Sequence, residues 1–90
     1  MKQIMINLDY QSRTPIYEQI VNGIEKYVAV GILKEKVQIP SIREMASNLG
    51  INPNTVKKSY DILEGRGVIT TISTKGTFIS EDTKKATNEK

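Results

Sequence analysis

Between Ile39 and Gly67 the apolar residues fall into two short helical patterns separated by a tight turn. Ile42, Met45, Ala46 and Leu49 recur at i, i+3, i+4 and i+7. That spacing predicts a helix with one stripe on a core and Arg43, Glu44, Ser47 and Asn48 in water. Val56, Ser59, Tyr60 and Leu63 repeat it as a second helix. Upstream, Ile16, Ile20, Ile24, Tyr27 and Val28 form a longer stripe, widened by Tyr17 and Val21, which predicts a broadly buried first helix supplying much of the core.

Strand signals flank these helices. Residues 3–8 alternate Ile4, Ile6 and Leu8 with Gln3, Met5 and Asn7, so a short half-buried strand or extended arm is expected over 1–9. Asp9 to Arg13 read as a polar connector. Val37 and Ile39 alternate as a very short strand that needs a partner. The β-branched run Val68 to Ile72, the turn Ser73-Thr74-Lys75-Gly76 and the return Thr77-Phe78-Ile79 provide one, as a hairpin. Residues 81–90 are charged and poor in hydrophobes, and read as a disordered tail or the start of a further C-terminal extension.

Start and stop residues sharpen the helix boundaries. Thr14 is placed to cap the first helix with Pro15 as its first residue, and Glu18 near its positive end. Gly31 ends it. Ser41 and Glu44 have the spacing of a capping box, and Gly50 sits where a left-handed residue ends the second helix. Asn52 caps the third, with Pro53 in the first position, where its missing N–H costs nothing. Only Gly50 to Asn52 separate the two helices, which makes this pair a helix–turn–helix.

In that motif the second helix enters the DNA major groove amino end first. At about 100° per residue, the side chains pointing away from the Val56–Tyr60–Leu63 stripe are Asn54, Lys57, Lys58 and Asp61. Asn can pair bidentately with adenine, and Lys can reach guanine acceptors or phosphate, whereas Asp61, a turn further on, is expected outside the groove. Two adjacent lysines on a helix are ordinarily just solvated, and a Lys-Gly turn is ordinarily just a turn. Their places, on a second helix after a tight turn and at the tip of the hairpin that follows, favour nucleic acid for Lys57, Lys58, Lys75 and Gly76.

Ninety residues allow one small domain with a thin core, so 10–80 reads as a single unit. The formal charge is +3, and the excess lies in residues 1–79, which hold ten Lys/Arg against seven Asp/Glu. A polyanion partner is compatible with this balance, though not demanded by it. The chain contains no Cys or His, which removes thiol nucleophiles, imidazole bases and the usual zinc ligands. Glu18, Glu25 and Asp61 are scattered over solvated helix faces, so no acid/base pair assembles and no enzyme or cofactor is expected. No apolar run approaches the ~20 residues needed to span a bilayer, and a cytoplasmic protein is expected.

Over about residues 10–79 the chain resembles the N-terminal domain of the GntR family of bacterial transcription regulators. The matching segments are PIYEQIVNGIEKYVAVGIL, then PSIREMASNLGINPNTVKKSYDILEGRGVI, then KGTFI, in order and at family spacing. The opening looks most like the YtrA-type subfamily, whose members are small and carry a short helical extension. The resemblance implies an α+β, mainly α, winged helix–turn–helix of three helices plus a C-terminal β-hairpin wing. It also implies DNA contact by Arg43 of the PSxRE segment, by Asn52, Asn54, Thr55 and Lys57 around the Thr-Val pair, and by Gly76 in the wing.

Three departures stand out. Glu35-Lys36-Val37 replaces the family's Pro-Gly-Asp, so that loop is expected to turn differently. Lys57-Lys58 replaces an Arg pair, and lysine lacks the guanidinium fork. Thr74 stands where the wing often has glycine. The expected function is sequence-specific binding of a two-fold operator in double-stranded DNA by a homodimer that regulates transcription, as a repressor, with no effector pocket in this chain. The alternative is a protein-interaction winged helix that adds strands to a partner through Ile4–Leu8 and the wing edge, without binding DNA.

Overall fold

The stripes close on one another in a computed structural model that describes residues 6–72 and 74–80. Among these residues the order is α1 (Ile16–Ala29), β1 (Gln38–Ile39), α2 (Ile42–Leu49), α3 (Pro53–Gly65), β2 (Ile69–Ile72) and β3 (Gly76–Ile79). Ile20, Val21 and Ile24 of α1 meet Met45 and Ala46 of α2 and Val56, Tyr60 and Leu63 of α3 in one core. Leu33, Ile39, Val68, Ile69 and Ile79 extend that core under the sheet. Each large side chain buried there contributes about 1.5–3 kcal/mol before conformational entropy is subtracted. The α+β winged helix–turn–helix expected from the sequence is the fold observed.

The caps of α2 and α3 form as their chemistry dictates. Ser41 Oγ accepts from the Glu44 N–H at 3.1 Å, and Glu44 Oε1 accepts from the Ser41 N–H at 3.0 Å, which completes the capping box. Gly50 adopts φ 68° and ψ 36°, and the Ile51 N–H returns to the Ala46 carbonyl at 3.0 Å. Asn52 Oδ1 accepts from the Asn54 N–H at 2.7 Å. Two well-made caps around three residues fix the crossing of α2 and α3.

The start of α1 differs from expectation. Thr14 makes no side-chain cap. Pro15 occupies the cap position with ψ 152°, and the helix begins at Ile16. The reason lies in Gln19, whose Nε2 donates to the carbonyls of Thr14 and Asp9 at 2.8 and 2.9 Å while its Oε1 accepts from the Asp9 N–H at 2.8 Å. A side chain ten residues away thus holds the connector where local capping was expected. Of the strand or extended arm expected over 1–9, residues 6–8 run without strand pairing, and residues 1–5 lie outside the described residues. Ile6 instead rests on α1 at Gly23, where an added Cβ would stand 3.4 Å from the Ile6 side chain. The tail, 81–90, also lies outside the described residues.

The short strand around Ile39 finds its partner at the end of the chain. Gln38 opposes Phe78 and Ile39 opposes Thr77, while β2 pairs with the other side of β3 from Ile69↔Ile79 to Ile72↔Gly76. The antiparallel order is β1-β3-β2, so the wing is braced from the side facing away from its own hairpin partner. Lys36, in the loop before β1, holds φ 69°, a left-handed backbone at a non-glycine residue. Thr74 holds φ 70° in the wing turn.

A β-branched residue in left-handed backbone is strained by about 1–2 kcal/mol, of which glycine's greater freedom in the unfolded chain would take back about 0.5–1. Thr74→Gly is therefore expected to raise the thermal midpoint by about 3–6 °C, followed by circular dichroism. An unchanged or lowered midpoint would show that the turn carries no such strain.

Candidate nucleic-acid interface

The third helix is anchored by one face. Val56, Ser59, Tyr60 and Leu63 are buried, and Ser59 Oγ donates to the Tyr17 carbonyl of α1 at 2.8 Å, with the Thr55 carbonyl at 3.2 Å as its alternative acceptor. At the far end Arg66 Nη1 meets Glu25 Oε2 at 2.9 Å. Held at both places, α3 turns its opposite face, with Asn54, Lys57, Lys58 and Asp61, to the outside.

Electrostatics distinguish the amino end of this helix from those of its neighbours. Glu18 and Glu44 sit in the first turns of α1 and α2, but the first turn of α3 holds no acidic residue. The partial positive charge of the α3 terminus thus meets no acidic side chain in that first turn, a condition that favours an approaching anion. Asn54 is exposed beside it, and Arg43 is exposed in the first turn of α2 with no hydrogen bond or ion pair among the described residues.

The other site residues are more constrained. Asn52 spends its side-chain oxygen on the cap, which leaves only its amide donors for a ligand. Thr55 is half-buried. Lys57 Nζ lies 2.9 Å from Asp61 Oδ2, with the two side chains 61% and 59% exposed. Asp61, expected outside the groove, is the counter-ion of Lys57. Lys58 Nζ sits 4.0 Å from the centre of the Tyr17 ring, a cation–π contact that draws it towards α1. Lys57 and Lys58 therefore do not project as a parallel pair.

In the wing, Lys75 is exposed, and its N–H donates to the Ile72 carbonyl at 2.9 Å. Gly76 has φ 119°. Gln38 Nε2 donates to the Lys75 carbonyl at 3.1 Å, and a Cβ on Gly76 would fall 2.5 Å from that same nitrogen. Gln38 was not among the residues singled out in the sequence. Its alternation with Val37 and Ile39 marks it as outward, but its partner lies 37 residues on, and no local signal finds it.

Groups of His, Cys, Asp and Glu able to hold a metal are absent among the described residues. No helix there is long and apolar enough to cross a membrane.

Three helices, a tight inter-helical turn and a braced wing with an outward amino end on the last helix define a winged helix–turn–helix protein. The family model for bacterial regulatory proteins of the gntR family matches residues 16–79, and the chain belongs to that family. It is 46% identical over 80 residues to the HTH-type transcriptional repressor YtrA of Bacillus subtilis (strain 168), covering 89% of this chain and 62% of that protein. Among solved structures it is similar to a transcriptional antiterminator from Listeria monocytogenes EGD-e (TM-score 0.86, 49% identity, 89% of this chain and 60% of that one). It is also similar to YtrA from Sulfolobus acidocaldarius, a GntR-family transcription factor (TM-score 0.80, 41% identity, 84% and 80%). The chain thus spans about three fifths of the length of the first two, which it matches over 62% and 60%.

Proposed function

We propose that this chain is the DNA-binding part of a cytoplasmic, non-enzymatic transcription regulator that represses by occupying a two-fold operator as a homodimer. The observation that carries this reading is the outward amino end of α3, with no acid in its first turn and with Asn54 and Lys57 exposed beside it. Each α3 would enter one major groove, with half-sites ~34 Å apart, one turn of the duplex. Arg43, at the start of α2, and Lys75-Gly76, at the wing tip, would meet backbone or groove edges on either side. Asn52 and Thr55 would act chiefly by fixing the first turn of α3, Asn52 through the cap in which its side-chain oxygen and carbonyl take the Asn54 and Thr55 N–H groups. Lys58 would reach DNA only by leaving the Tyr17 ring, so its contribution is the smallest of the set.

Lys57 is already paired, but an exposed (i, i+4) pair contributes only about 0.3–0.5 kcal/mol, and lysine before the acid is the weaker order. A phosphate or a guanine edge outcompetes such a partner.

Selection of bound duplexes from a random pool tests the reading directly. A palindromic consensus is expected, bound with a log–log salt slope on the order of −0.9 per phosphate contacted. Recovery of no duplex would overturn the proposal and favour a protein partner. With the consensus in hand, Arg43→Ala is expected to weaken binding about tenfold or more. Lys57→Ala should weaken binding across sequences and reduce the salt slope by about 1. Both variants should melt with the parent chain, because neither side chain is buried. Intact binding by Arg43→Ala in a mobility-shift titration would remove that residue from the interface.

A further inference from the structure

The pair between Lys57 and Asp61 places a carboxylate on the outward face of α3, one turn behind the cation expected to lead into the groove. Both side chains are more than half exposed, so the pair adds little to stability, and neither residue packs in the core. Its consequence lies in what an approaching duplex meets. A duplex lying loosely along α3 brings phosphates near Asp61 as well as Lys57, and the two charges offset each other. A duplex seated in register takes Lys57 to an acceptor of its own and leaves Asp61 facing the lysine stem, away from phosphate.

We infer that Asp61 is a specificity-determining residue that acts by offsetting the charge of Lys57, penalising DNA bound out of register, where the two stay paired. This inference rests on the DNA-binding reading above. It assigns Asp61 a cost against non-cognate DNA and no net contribution to cognate affinity, a discrimination obtained by repelling wrong ligands. The charge balance fits that role. With the carboxylate present, Lys57 and Asp61 cancel for any ligand sensing only net charge, and the remaining cation of that face, Lys58, is drawn towards Tyr17. Once the carboxylate is gone, Lys57 becomes a free cation beside a helix terminus that is itself positive.

The test compares the parent chain, Asp61→Asn, Lys57→Ala and the double variant on two duplexes, the selected consensus and a scrambled sequence of equal composition, across a salt series. Asp61→Asn is expected to tighten scrambled DNA about three- to fivefold, with a salt slope steeper by about 1, while consensus affinity stays within about twofold. In the Lys57→Ala background Asp61→Asn should tighten both duplexes alike, because without its lysine the carboxylate repels phosphate in either register. In the chain that keeps Lys57, equal tightening on both duplexes, or no change on either, would overturn the inference, as would an undiminished difference between the two duplexes without Lys57. Failure of the parent chain to bind any duplex is a separate result that removes the DNA-binding reading and this inference with it. Melting curves of all four proteins should coincide, which keeps any binding change distinct from a folding defect.

Discussion

Tyr60→Ala is expected to cost the domain about 3–5 kcal/mol, a large part of the stability that a small domain possesses, and to unfold it before any change in ligand binding can be measured. Tyr60 is buried in α3 where that helix meets α2 and the strand entering it, and its hydroxyl donates to the Pro40 carbonyl at 2.7 Å. The ring fills the core, and the hydroxyl satisfies a buried carbonyl at the residue before the Ser41 cap. Tyr60→Phe separates the two contributions. It keeps the ring and strands the carbonyl, so a loss of about 1–3 kcal/mol is expected in urea unfolding. Near-parental stability of Tyr60→Ala would refute the position of this side chain at the centre of the domain.

The same residue sets an alkaline limit. Burial, reinforced by the negative charge of Glu44, raises the Tyr60 phenol well above its ordinary value near 10. In the unfolded chain the phenol ionises at its ordinary pKa, whereas in the folded chain it stays protonated. The contribution is therefore fully present below about pH 10 and is lost above it, by about 1.4 kcal/mol per pH unit as the folded form alone keeps its proton. Unfolding free energies measured from pH 8 to 11 should fall across the upper part of that range for the parent chain and fall less steeply for Tyr60→Phe. Parallel curves would show that Tyr60 ionises as freely when folded as when unfolded.

What could be read from the sequence divides by range. The caps at Ser41 and Asn52, the left-handed Gly50 and the stripes of α2 and α3 were legible because their causes lie within four residues. Even the strand partner of Val37–Ile39 could be anticipated, since the end of the chain offered a β-branched hairpin. The start of α1 was misread because Gln19 reaches back to Asp9 and Thr14, an arrangement that no capping rule includes. The Lys57–Asp61 pair has an (i, i+4) spacing that the sequence displays, but spacing alone does not fix whether two exposed charges on a helix face meet. The turn of Lys58 to Tyr17 and the brace from Gln38 to Lys75 span 41 and 37 positions, distances set by packing, which periodicity does not encode.

That long-range brace carries the second large effect, expected at Gly76. Alanine there meets two obstacles. Its φ of 119° lies where residues with a Cβ are held only at a cost on the order of 1–3 kcal/mol, and the new methyl would displace the Gln38 amide from the Lys75 carbonyl. Gln38 is long and flexible, so it can swing aside for about the value of one hydrogen bond, roughly 0.5–1.5 kcal/mol. Gly76→Ala should therefore lose about 2–4 kcal/mol in total, mostly through the backbone, and Gln38→Ala only about 1. The two losses overlap, because the methyl has already broken the bond that Gln38→Ala removes. In a double-mutant cycle the pair should be less destabilising than the sum by about 1 kcal/mol. Hydrogen exchange at the Lys75 and Thr77 amides should rise in both single variants, since the tip loses its tie to β1. Strict additivity in the cycle, with no change in exchange for Gln38→Ala, would mean that Gln38 does not brace the wing and that the backbone of Gly76 holds the tip without it.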